Sequence, residues 1–349
     1  MKKLSWFNKI IFGFNIVITV VTVVAYVLPF LAPKMFPLLS VLTLILPLFL
    51  ILNALFFIYW LLQLKRQVVL SGIVLLLGIT FINKFYKFSS TDKISEEKDF
   101  TVMSYNVRLF NLFDWIPNRN VGDAILGFIN EQNPDILCIQ EYSENAKVDL
   151  RIYKYKTIFM EGKKIKTGQA IFSKYPIFNQ GDFKIPQAGN NIIYADIKIG
   201  KDTLRVYNIH LQSIKISPDV NEISENVEAI NQSKSEQVFT RIRDAFSKQE
   251  QQAEILAKHK SNCLYPIIIC GDMNNSPFSY VYRSIKTDLN DCFEEAGNGF
   301  GQTYKFKYYP ARIDYIFADK KMTVKSFTTF TAFENSDHFP VMTRLSFVE

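Results

Sequence analysis

The stretch Pro266-Ile-Ile-Ile-Cys-Gly-Asp-Met-Asn-Asn275 places two polar side chains directly after a buried strand. Residues 267–270 are four consecutive apolar residues, which is typical of a strand covered on both faces. Gly271 ends the run, and Asp272 and Asn274 follow where side chains at a strand end can converge on a cleft. A carboxylate and an amide in this position can hold a metal-bound phosphate, but a satisfied turn explains an isolated Asp-x-Asn equally well.

Further predicted strands end in side chains of the same kind. The strands 100–107, 136–141 and 204–211 carry an amide, a carboxylate and an imidazole near their ends. Of the three histidines, His259 closes a predicted helix, where an exposed charge partner is expected. The other two stand beside carboxylates, which favours chemistry over structure. The candidate site residues are Asn106, Glu141, His210, Asp272, Asn274, Asp314, Asp337 and His338.

Strands outnumber helices in the pattern that follows residue 100. Apolar residues at helical spacing occur in 122–130 and 236–259, whereas alternation and short apolar runs dominate elsewhere. This mixture predicts an α+β protein with a two-layer or four-layer sandwich rather than a doubly wound sheet. The polar stretch 212–235 is a candidate lid or substrate-selecting loop.

Six short motifs lie near the predicted strand ends: Ser104-Tyr-Asn-Val, Gln140-Glu, Asn208-Ile-His-Leu, Gly271-Asp-Met-Asn, Arg312-Ile-Asp-Tyr and Ser336-Asp-His-Phe-Pro. They occur in the order and approximate spacing of the endonuclease/exonuclease/phosphatase superfamily. The chain resembles this superfamily, which includes pancreatic deoxyribonuclease, apurinic endonucleases, sphingomyelinases and inositol polyphosphate phosphatases, over residues 100–349. The resemblance implies a four-layer αββα sandwich with its site at one end of the two packed sheets.

The resemblance also implies a metal site. Asn106, Glu141 and Asp337 are the expected ligands, and their oxygen atoms suit Mg²⁺ or Mn²⁺. Such an ion would neutralise phosphate and leaving-group oxygens. Asp272 is expected to orient or deprotonate the attacking water, and Asn274 to hold that water or the phosphate.

The two histidines are the expected donors to the phosphate. His338 resembles the histidine of a His-Asp dyad, with Asp337 fixing its tautomer so that the ring stabilises the transition state. His210 offers a second donor, and Asp314 is expected to orient His210 or to assist the leaving group. A plain ion pair between Asp314 and Arg312 is the structural alternative.

The first 88 residues are predicted to be a membrane anchor. Residues 10–31 and 37–62 are apolar runs of spanning length, and 68–82 is a shorter, marginal one. We expect three transmembrane helices that form an N-terminal bundle, with two spans and an interfacial segment as the alternative. The polar residues 89–99 are the expected linker to a catalytic domain at 100–349.

Basic residues near the spans indicate the orientation. With the N-terminus inside, five lie on the cytoplasmic side and three outside, a bias that favours this topology. Three crossings then place the catalytic domain outside the cytoplasm, and loss of the third would reverse this. We expect an integral protein of a bacterial inner membrane whose N-terminal helices contact the lipid bilayer.

The net charge of +7 comes from the apolar N-terminus. Residues 1–91 hold eight basic residues and no acidic one, and the remainder holds 32 basic and 33 acidic residues. A near-neutral domain argues against tight binding of duplex nucleic acid, which depends on neutralising phosphates.

The leading hypothesis is a membrane-anchored, divalent-metal-dependent phosphoesterase that hydrolyses a phosphodiester with activated water. A nuclease and a lipid or inositol-phosphate phosphoesterase remain open as its forms. The rival from another class is an inactive membrane scaffold or receptor with the same fold. Every motif position is filled, which favours the enzyme. The natural substrate and the oligomeric state are left open by the sequence.

Overall fold

The computed structural model describes residues 4–90, 93–117, 120–183, 191–214, 232–307 and 309–348. Residues 215–231, most of the candidate lid, lie outside this description. The N-terminal helices are α1 (Trp6–Val27), α2 (Leu46–Leu62), α3 (Val68–Leu77) and α4 (Ile79–Phe85). The later helices are α5 (Val121–Gln132), α6 (Gln232–Ser261), α7 (Tyr280–Lys286) and α8 (Cys292–Ala296).

The described residues after 99 contain two six-stranded sheets. The strands are β1 (Phe100–Asn106), β2 (Ile136–Tyr142), β3 (Tyr155–Glu161), β4 (Thr167–Ser173), β5 (Ile177–Phe183), β6 (Ile192–Ile199), β7 (Asp202–His210), β8 (Ile267–Asp272), β9 (Leu289–Asp291), β10 (Asp314–Asp319), β11 (Met322–Thr329) and β12 (Val341–Phe347). The first sheet has the order β11-β12-β1-β2-β4-β3, and the second β5-β6-β7-β8-β10-β9.

Apolar side chains from both sheets fill the space between them. Val102 and Ile136 of the first sheet share one buried cluster with Val206 and Ile268 of the second. Each such side chain contributes about 1.5–3 kcal/mol when it leaves water. The predicted packing of two sheets is therefore confirmed.

Helices cover the outer face of each sheet. Helix α5 buries Ile125 and Ile129 against the first sheet. Helices α6 and α7 bury Leu256 and Val281 against the second. The helices predicted at 122–130 and 236–259 are thus present as α5 and α6, each slightly longer than its apolar stripe.

The strand directions bring several strand ends to one edge. Strands β1 and β2 pair in parallel, and so do β7 and β8. Strand β10 runs antiparallel to β8, so its first residue, Asp314, lies opposite the last residue of β8, Asp272. We call this edge, formed by the ends of β1, β2, β7 and β8 and the start of β10, the site edge.

One helical segment among the described residues is long and apolar enough to cross a bilayer alone, Trp6–Phe30. Helices α3 and α4 qualify only as a pair bent by 61°, and α2 has 17 residues. The expected bundle of three spans is therefore not confirmed. Pro47 occupies the first turn of α2 instead of kinking a longer helix, because proline is tolerated there without loss of a helical hydrogen bond.

Polar side chains of the N-terminal helices face one another. The amide of Asn15 donates to Ser71 Oγ at 2.8 Å and accepts from Trp60 Nε1 at 3.0 Å. The amide of Asn53 donates to Thr22 Oγ1 at 2.8 Å. These helices carry polar side chains inside and large apolar ones outside, the reverse of a helix in water. More than half exposed are Phe14, Val17, Val20, Leu48, Leu55, Val69, Ile73 and Leu76.

Candidate active site

The site edge joins polar side chains of both sheets. The Asn106 amide donates to Asp272 Oδ2 at 3.2 Å and to Glu141 Oε1 at 3.3 Å. His210 Nε2 lies 3.6 Å from Asp272 Oδ2 and 3.9 Å from Glu141 Oε1. Asp314 is the register partner of Asp272. Residues that are far apart in the sequence therefore converge on Asp272.

Asp272 is a buried carboxylate held by neighbouring amides. Its Oδ1 accepts from the Asn274 backbone N–H at 2.7 Å, and its Oδ2 accepts from the Asn274 side chain at 3.1 Å. Burial raises the pKa of Asp272 to about 8, an effect that the charge of His338 opposes and the Asp314 carboxylate reinforces. A cation bound beside Asp272 would favour its ionised form.

His338 and Asp314 form a buried dyad. His338 Nδ1 lies 2.9 Å from Asp314 Oδ2, and the other ring nitrogen lies 3.7 Å from Asp272 Oδ2. Although burial disfavours the imidazolium, the Asp314 and Asp272 carboxylates raise the pKa of His338 well above its usual value. The dyad therefore keeps a proton on the ring and directs Nε2 toward Asp272.

The predicted partner of His338 was wrong. Asp337 Oδ2 lies 3.4 Å from Arg108 Nε, and its Oδ1 accepts from Ser336 Oγ at 3.2 Å. The predicted pairing of Asp314 with His210 was also wrong, because Asp314 contacts His338 instead. The alternative ion pair of Asp314 with Arg312 was wrong as well, since the Arg312 guanidinium donates to Asp291. The register of β10 on β8 turns Asp314 toward His338, which the sequence does not reveal.

The donor set suits a hard divalent cation. Ligand atoms of Asp272, Asp314 and His338 lie within 4.8 Å of one another. Because the His338 ring keeps its proton, the carboxylates and not the imidazole would bind the cation. Asp314 Oδ1 is buried and has no hydrogen-bond partner among the described residues. Glu141 adds a further carboxylate, which accepts from the Asn106 amide, while the Asn106 oxygen accepts from the Arg108 backbone N–H. A buried group of carboxylates with an unsatisfied oxygen fits a cation that prefers oxygen ligands.

Unusual backbone conformations aim the site residues. Glu141 has a φ of +50° at a bulge between Gln140 and Tyr142, and Asn274 also has a φ of +50°. Gly271 has a φ of +132°, and a Cβ there would lie 2.0 Å from the Ile209 carbonyl oxygen. Strained positions of this kind persist where the surrounding structure imposes them, often at functional sites.

His210 lies within the same group but in a different environment. Burial lowers its pKa, and the Glu141 carboxylate opposes this effect. His210 therefore favours its neutral form, whereas the ring of the neighbouring His338 keeps its proton. Neighbouring groups whose pKa values are pushed apart are typical of acid–base sites.

Supporting residues were missed by the sequence reasoning. Gln140 donates to Asn208 Oδ1 at 2.6 Å across the two sheets. The buried Gln249 of α6 donates to the Asn274 carbonyl at 3.2 Å and accepts from Asn275 at 2.7 Å. Gln140 and Asn208 lie inside quoted motifs. A polar residue on the apolar stripe of α6 was the available signal for Gln249.

Comparison with known families agrees with this geometry. The model of the Endonuclease/Exonuclease/phosphatase family matches residues 103–338. The chain belongs to this family. Its members hydrolyse phosphoester bonds, and the chain is a hydrolase of this class. Residues 8–85 match a separate domain of unknown function, and no curated protein matches the chain.

Solved structures show the same fold at low identity. An endonuclease/exonuclease/phosphatase protein from Bacteroides vulgatus is 18% identical, with a TM-score of 0.54, over 72% of this chain and 100% of that one. The human Nocturnin catalytic domain is 17% identical, with a TM-score of 0.52, over 74% and 97%. A Bacteroides thetaiotaomicron family member is 20% identical, with a TM-score of 0.51, over 72% and 99%.

In this family member most of the predicted site residues lie together. Asp337 pairs with Arg108, whose backbone N–H donates to Asn106, and its role as a ligand stays a prediction. The residues that the structure brings to one place are Asn106, Glu141, His210, Asp272, Asn274, Asp314 and His338.

Proposed function

We propose that this protein is a membrane-anchored, divalent-metal-dependent phosphodiesterase. The observation that carries the proposal is the buried group of Asp272, Asp314 and His338, which lies directly against Asn106 and Glu141 at the site edge. An inactive scaffold has no need for a buried, incompletely satisfied carboxylate group, which destabilises the fold when no cation or proton compensates it.

Asn106, Glu141 and Asp272 would hold Mg²⁺ or Mn²⁺. When bound, the ion neutralises non-bridging oxygens of the phosphate and stabilises the leaving oxygen. The rigid amides around Asp272 fix the direction of its two oxygens. Asp272 therefore orients the attacking water and accepts its proton, with Asn274 beside it.

The histidines act on the phosphate. Asp314 holds the Nδ1–H of His338, so Nε2 donates to a phosphate oxygen as negative charge builds. His210 offers a second donor from β7, on the Glu141 side of Asp272. Each preorganised donor is worth about 10²–10³ in rate.

The arrangement of the N-terminal helices supports a membrane anchor. Their polar side chains pair internally through Asn15 and Asn53, whereas their large apolar side chains face outward. Lipid favours this inside-out pattern, because hydrocarbon cannot satisfy polar groups. We propose an anchor at 1–88, a linker at 89–99 and a catalytic domain at 100–349.

Contacts between the anchor and the domain support an extracytoplasmic site. In the segment between α1 and α2, the Thr43 carbonyl accepts from Ser276 at 2.9 Å and the Leu44 carbonyl from Tyr309 at 3.0 Å. This segment and the domain must share one side of the bilayer. Helix α2 and the α3–α4 pair therefore both cross or both remain on that side. With the N-terminus inside, both cases support a domain outside a bacterial inner membrane.

Activity of the full chain in detergent tests the proposal. We expect hydrolysis of bis-p-nitrophenyl phosphate with Mn²⁺ or Mg²⁺, abolished by EDTA and reduced at least about 10²-fold in His338→Ala. His259→Ala removes the one histidine outside the site and should retain most activity. No turnover, or turnover that is insensitive to both EDTA and His338→Ala, would favour the inactive scaffold.

A further inference from the structure

The anchor meets the catalytic domain at the site edge. Arg312, two residues before β10, donates to the Lys84 carbonyl at the end of α4 at 3.1 Å. Phe278, in the loop after β8, is buried in one cluster with Ala25 of α1 and Leu46 of α2. The end of α1, the start of α2 and the end of α4 therefore all lie against the loops that carry the catalytic residues.

These helix ends set the distance between the site and the bilayer. Ser276 is two residues from Asn274, and Arg312 is two residues from Asp314, and both contact anchor residues. A helix leaves the hydrocarbon region near its end, where backbone groups need polar partners. The active site therefore opens within a few residues of the membrane interface.

The loop after β1 presents aromatic side chains at the same edge. Phe113 and Trp115 are 51% and 42% exposed, and their rings lie 5.1 Å apart. The Arg108 guanidinium lies 4.6 Å from the Trp115 ring centroid. Exposed aromatic rings next to a cation are enriched at the membrane–water interface, where one end of the ring is apolar and the other wet.

This loop holds its aromatics in a strained conformation. Residues 108–111 all have a positive φ, between +44° and +61°, and so does Asp114. Each non-glycine residue in this region costs about 1–2 kcal/mol. The Arg108 backbone N–H donates to Asn106 Oδ1 at 3.1 Å, so the strained turn begins on a predicted metal ligand. The loop is thereby fixed relative to the catalytic residues.

A second exposed apolar group lies between the anchor and α6. Met35, Phe36 and Leu38 line a groove of about 360 Å³ together with Phe239 and Arg243 of α6. The groove belongs to the segment between α1 and α2, whose next residues contact the loop after β8. It therefore continues the apolar surface of the anchor toward the catalytic domain.

We infer that the substrate is the phosphodiester of a membrane lipid, which reaches the site edge from the bilayer surface. This inference rests on the proposed function. The hydroxyl of water adds to phosphorus, the bond to one ester oxygen breaks, and that oxygen takes up a proton, which yields a phosphomonoester and an alcohol. A single-stranded nucleic acid stacked on Phe113 and Trp115 is the competing occupant. The near-neutral charge after residue 91 disfavours it.

The full chain reconstituted into vesicles of phosphatidylethanolamine and phosphatidylglycerol tests this inference. Lipid products are measured by mass spectrometry, beside hydrolysis of bis-p-nitrophenyl phosphate and of a single-stranded oligonucleotide. We expect lipid hydrolysis to fall about ten-fold in the double variant Phe113→Ala/Trp115→Ala. This factor corresponds to the loss of about 1.4 kcal/mol of contact with the membrane interface. Turnover of the soluble diester should stay within about two-fold.

Phe178→Ala is the matched control. Phe178 is 55% exposed on β5, at the end of the second sheet remote from the site edge, and its removal should change neither activity. If the unaltered chain hydrolyses the soluble diester but not the lipid, the inference is overturned and the proposed function stands. Faster cleavage of the oligonucleotide, or equal loss on both substrates in the double variant, would also overturn it. Loss of every activity in the unaltered chain would contradict the proposed function itself.

Discussion

At the scale of single residues, the dyad of His338 and Asp314 determines the protonation state of the site. Asp314 accepts from Nδ1 and is buried, so no solvent molecule can replace it easily. Asp314→Asn should lower kcat on a soluble diester by about 10²–10⁴, because the ring loses its fixed tautomer and its stabilised charge. KM should change little.

Asp337→Asn is the comparison for that variant. Asp337 is about one-third exposed and pairs with Arg108, so a smaller loss of kcat is expected. Steady-state kinetics of both variants, with thermal denaturation as the check on folding, decide between the two carboxylates. A larger loss of kcat in Asp337→Asn would favour the pairing of His338 with Asp337 that was predicted from the sequence.

The raised pKa of Asp272 makes stability depend on pH when metal is removed. A carboxyl whose folded pKa is about 8 contributes stability below its unfolded value near 4, and this contribution is lost as pH rises toward 8. In EDTA the Tm should therefore fall as the pH rises from 5 to 8. The free energy of unfolding changes by about 1.4 kcal/mol for each unit of pKa shift.

Two measurements check this dependence. Asp272→Asn should flatten the decline of Tm in EDTA, because its amide does not titrate. Adding Mg²⁺ or Mn²⁺ should raise Tm more at pH 8 than at pH 5, since the cation binds the ionised carboxylate. A Tm in EDTA that is constant over this range would contradict the raised pKa of Asp272, and a Tm unchanged by either cation would contradict the cation site.

Gly271 is required by its conformation and by its neighbour. Gly271→Ala forces a Cβ against the Ile209 carbonyl at a φ of +132°, so we expect a loss of at least about 3 kcal/mol. Gly200→Ala is the matched control, because φ is +57° there but no atom lies within 4 Å. Chemical denaturation compares the two, and equal losses would refute the steric argument.

The same residues show what a sequence can and cannot predict about the site. Asp272 and Asn274 were predicted because they follow an apolar run directly, and His338 because it stands beside an acid in a short motif before the last strand. The partner of His338 was not found, because the register between β10 and β8 decides it and the sequence carries no mark of register. The bulge that aims Glu141 was missed for the same reason, since one inserted residue leaves the apolar run unchanged.

At the scale of elements, helix α6 links the catalytic loops to the second sheet. Gln249 is fully buried and hydrogen bonds to the Gln212 carbonyl at 2.7 Å, to the Asn274 carbonyl and to the Asn275 side chain. Each bond contributes about 0.5–1.5 kcal/mol, so Gln249→Ala should destabilise the chain by about 2–4 kcal/mol. It should also lower kcat, because Asn274 loses its support.

The neighbouring Gln251 provides the control. It is exposed on the same helix, and Gln251→Ala should change stability by no more than about 0.5 kcal/mol. Urea denaturation and diester turnover of both variants are the measurements. Wild-type turnover in a folded Gln249→Ala protein would show that α6 does not position the loop.

Elements were predicted well where one periodicity runs through them. Helix α5 and helix α6 were recognised from their apolar stripes, and strands β1, β2, β7 and β8 from alternation or short apolar runs. Strands β3, β5 and β9 were missed. The apolar run 37–62 was different, because hydropathy alone does not mark where a helix begins. Residues 39–43 form a 3₁₀ helix, and α2 starts only at Leu46, with Pro47 in its first turn.

At the scale of the whole molecule, the anchor and the catalytic domain constrain each other's position. The segment between α1 and α2 and the end of α4 both contact the domain, through Ser276 and Arg312. In the proposed membrane anchor, both would therefore lie on the domain's side of the bilayer. An even number of crossings would then separate the two segments, a constraint that hydropathy alone does not supply.

Reporter fusions distinguish the two remaining topologies. Three crossings place Lys65, between α2 and α3, in the cytoplasm, so an alkaline phosphatase fused there should be silent and a green fluorescent protein bright. A fusion after the last residue should give the opposite result, because the domain is outside. Active alkaline phosphatase at both positions would mean that α1 alone crosses and that α2 to α4 lie on the outer surface. A silent but stably expressed C-terminal fusion would contradict both topologies and, together with the contacts at Thr43 and Lys84, would require the N-terminus to lie outside.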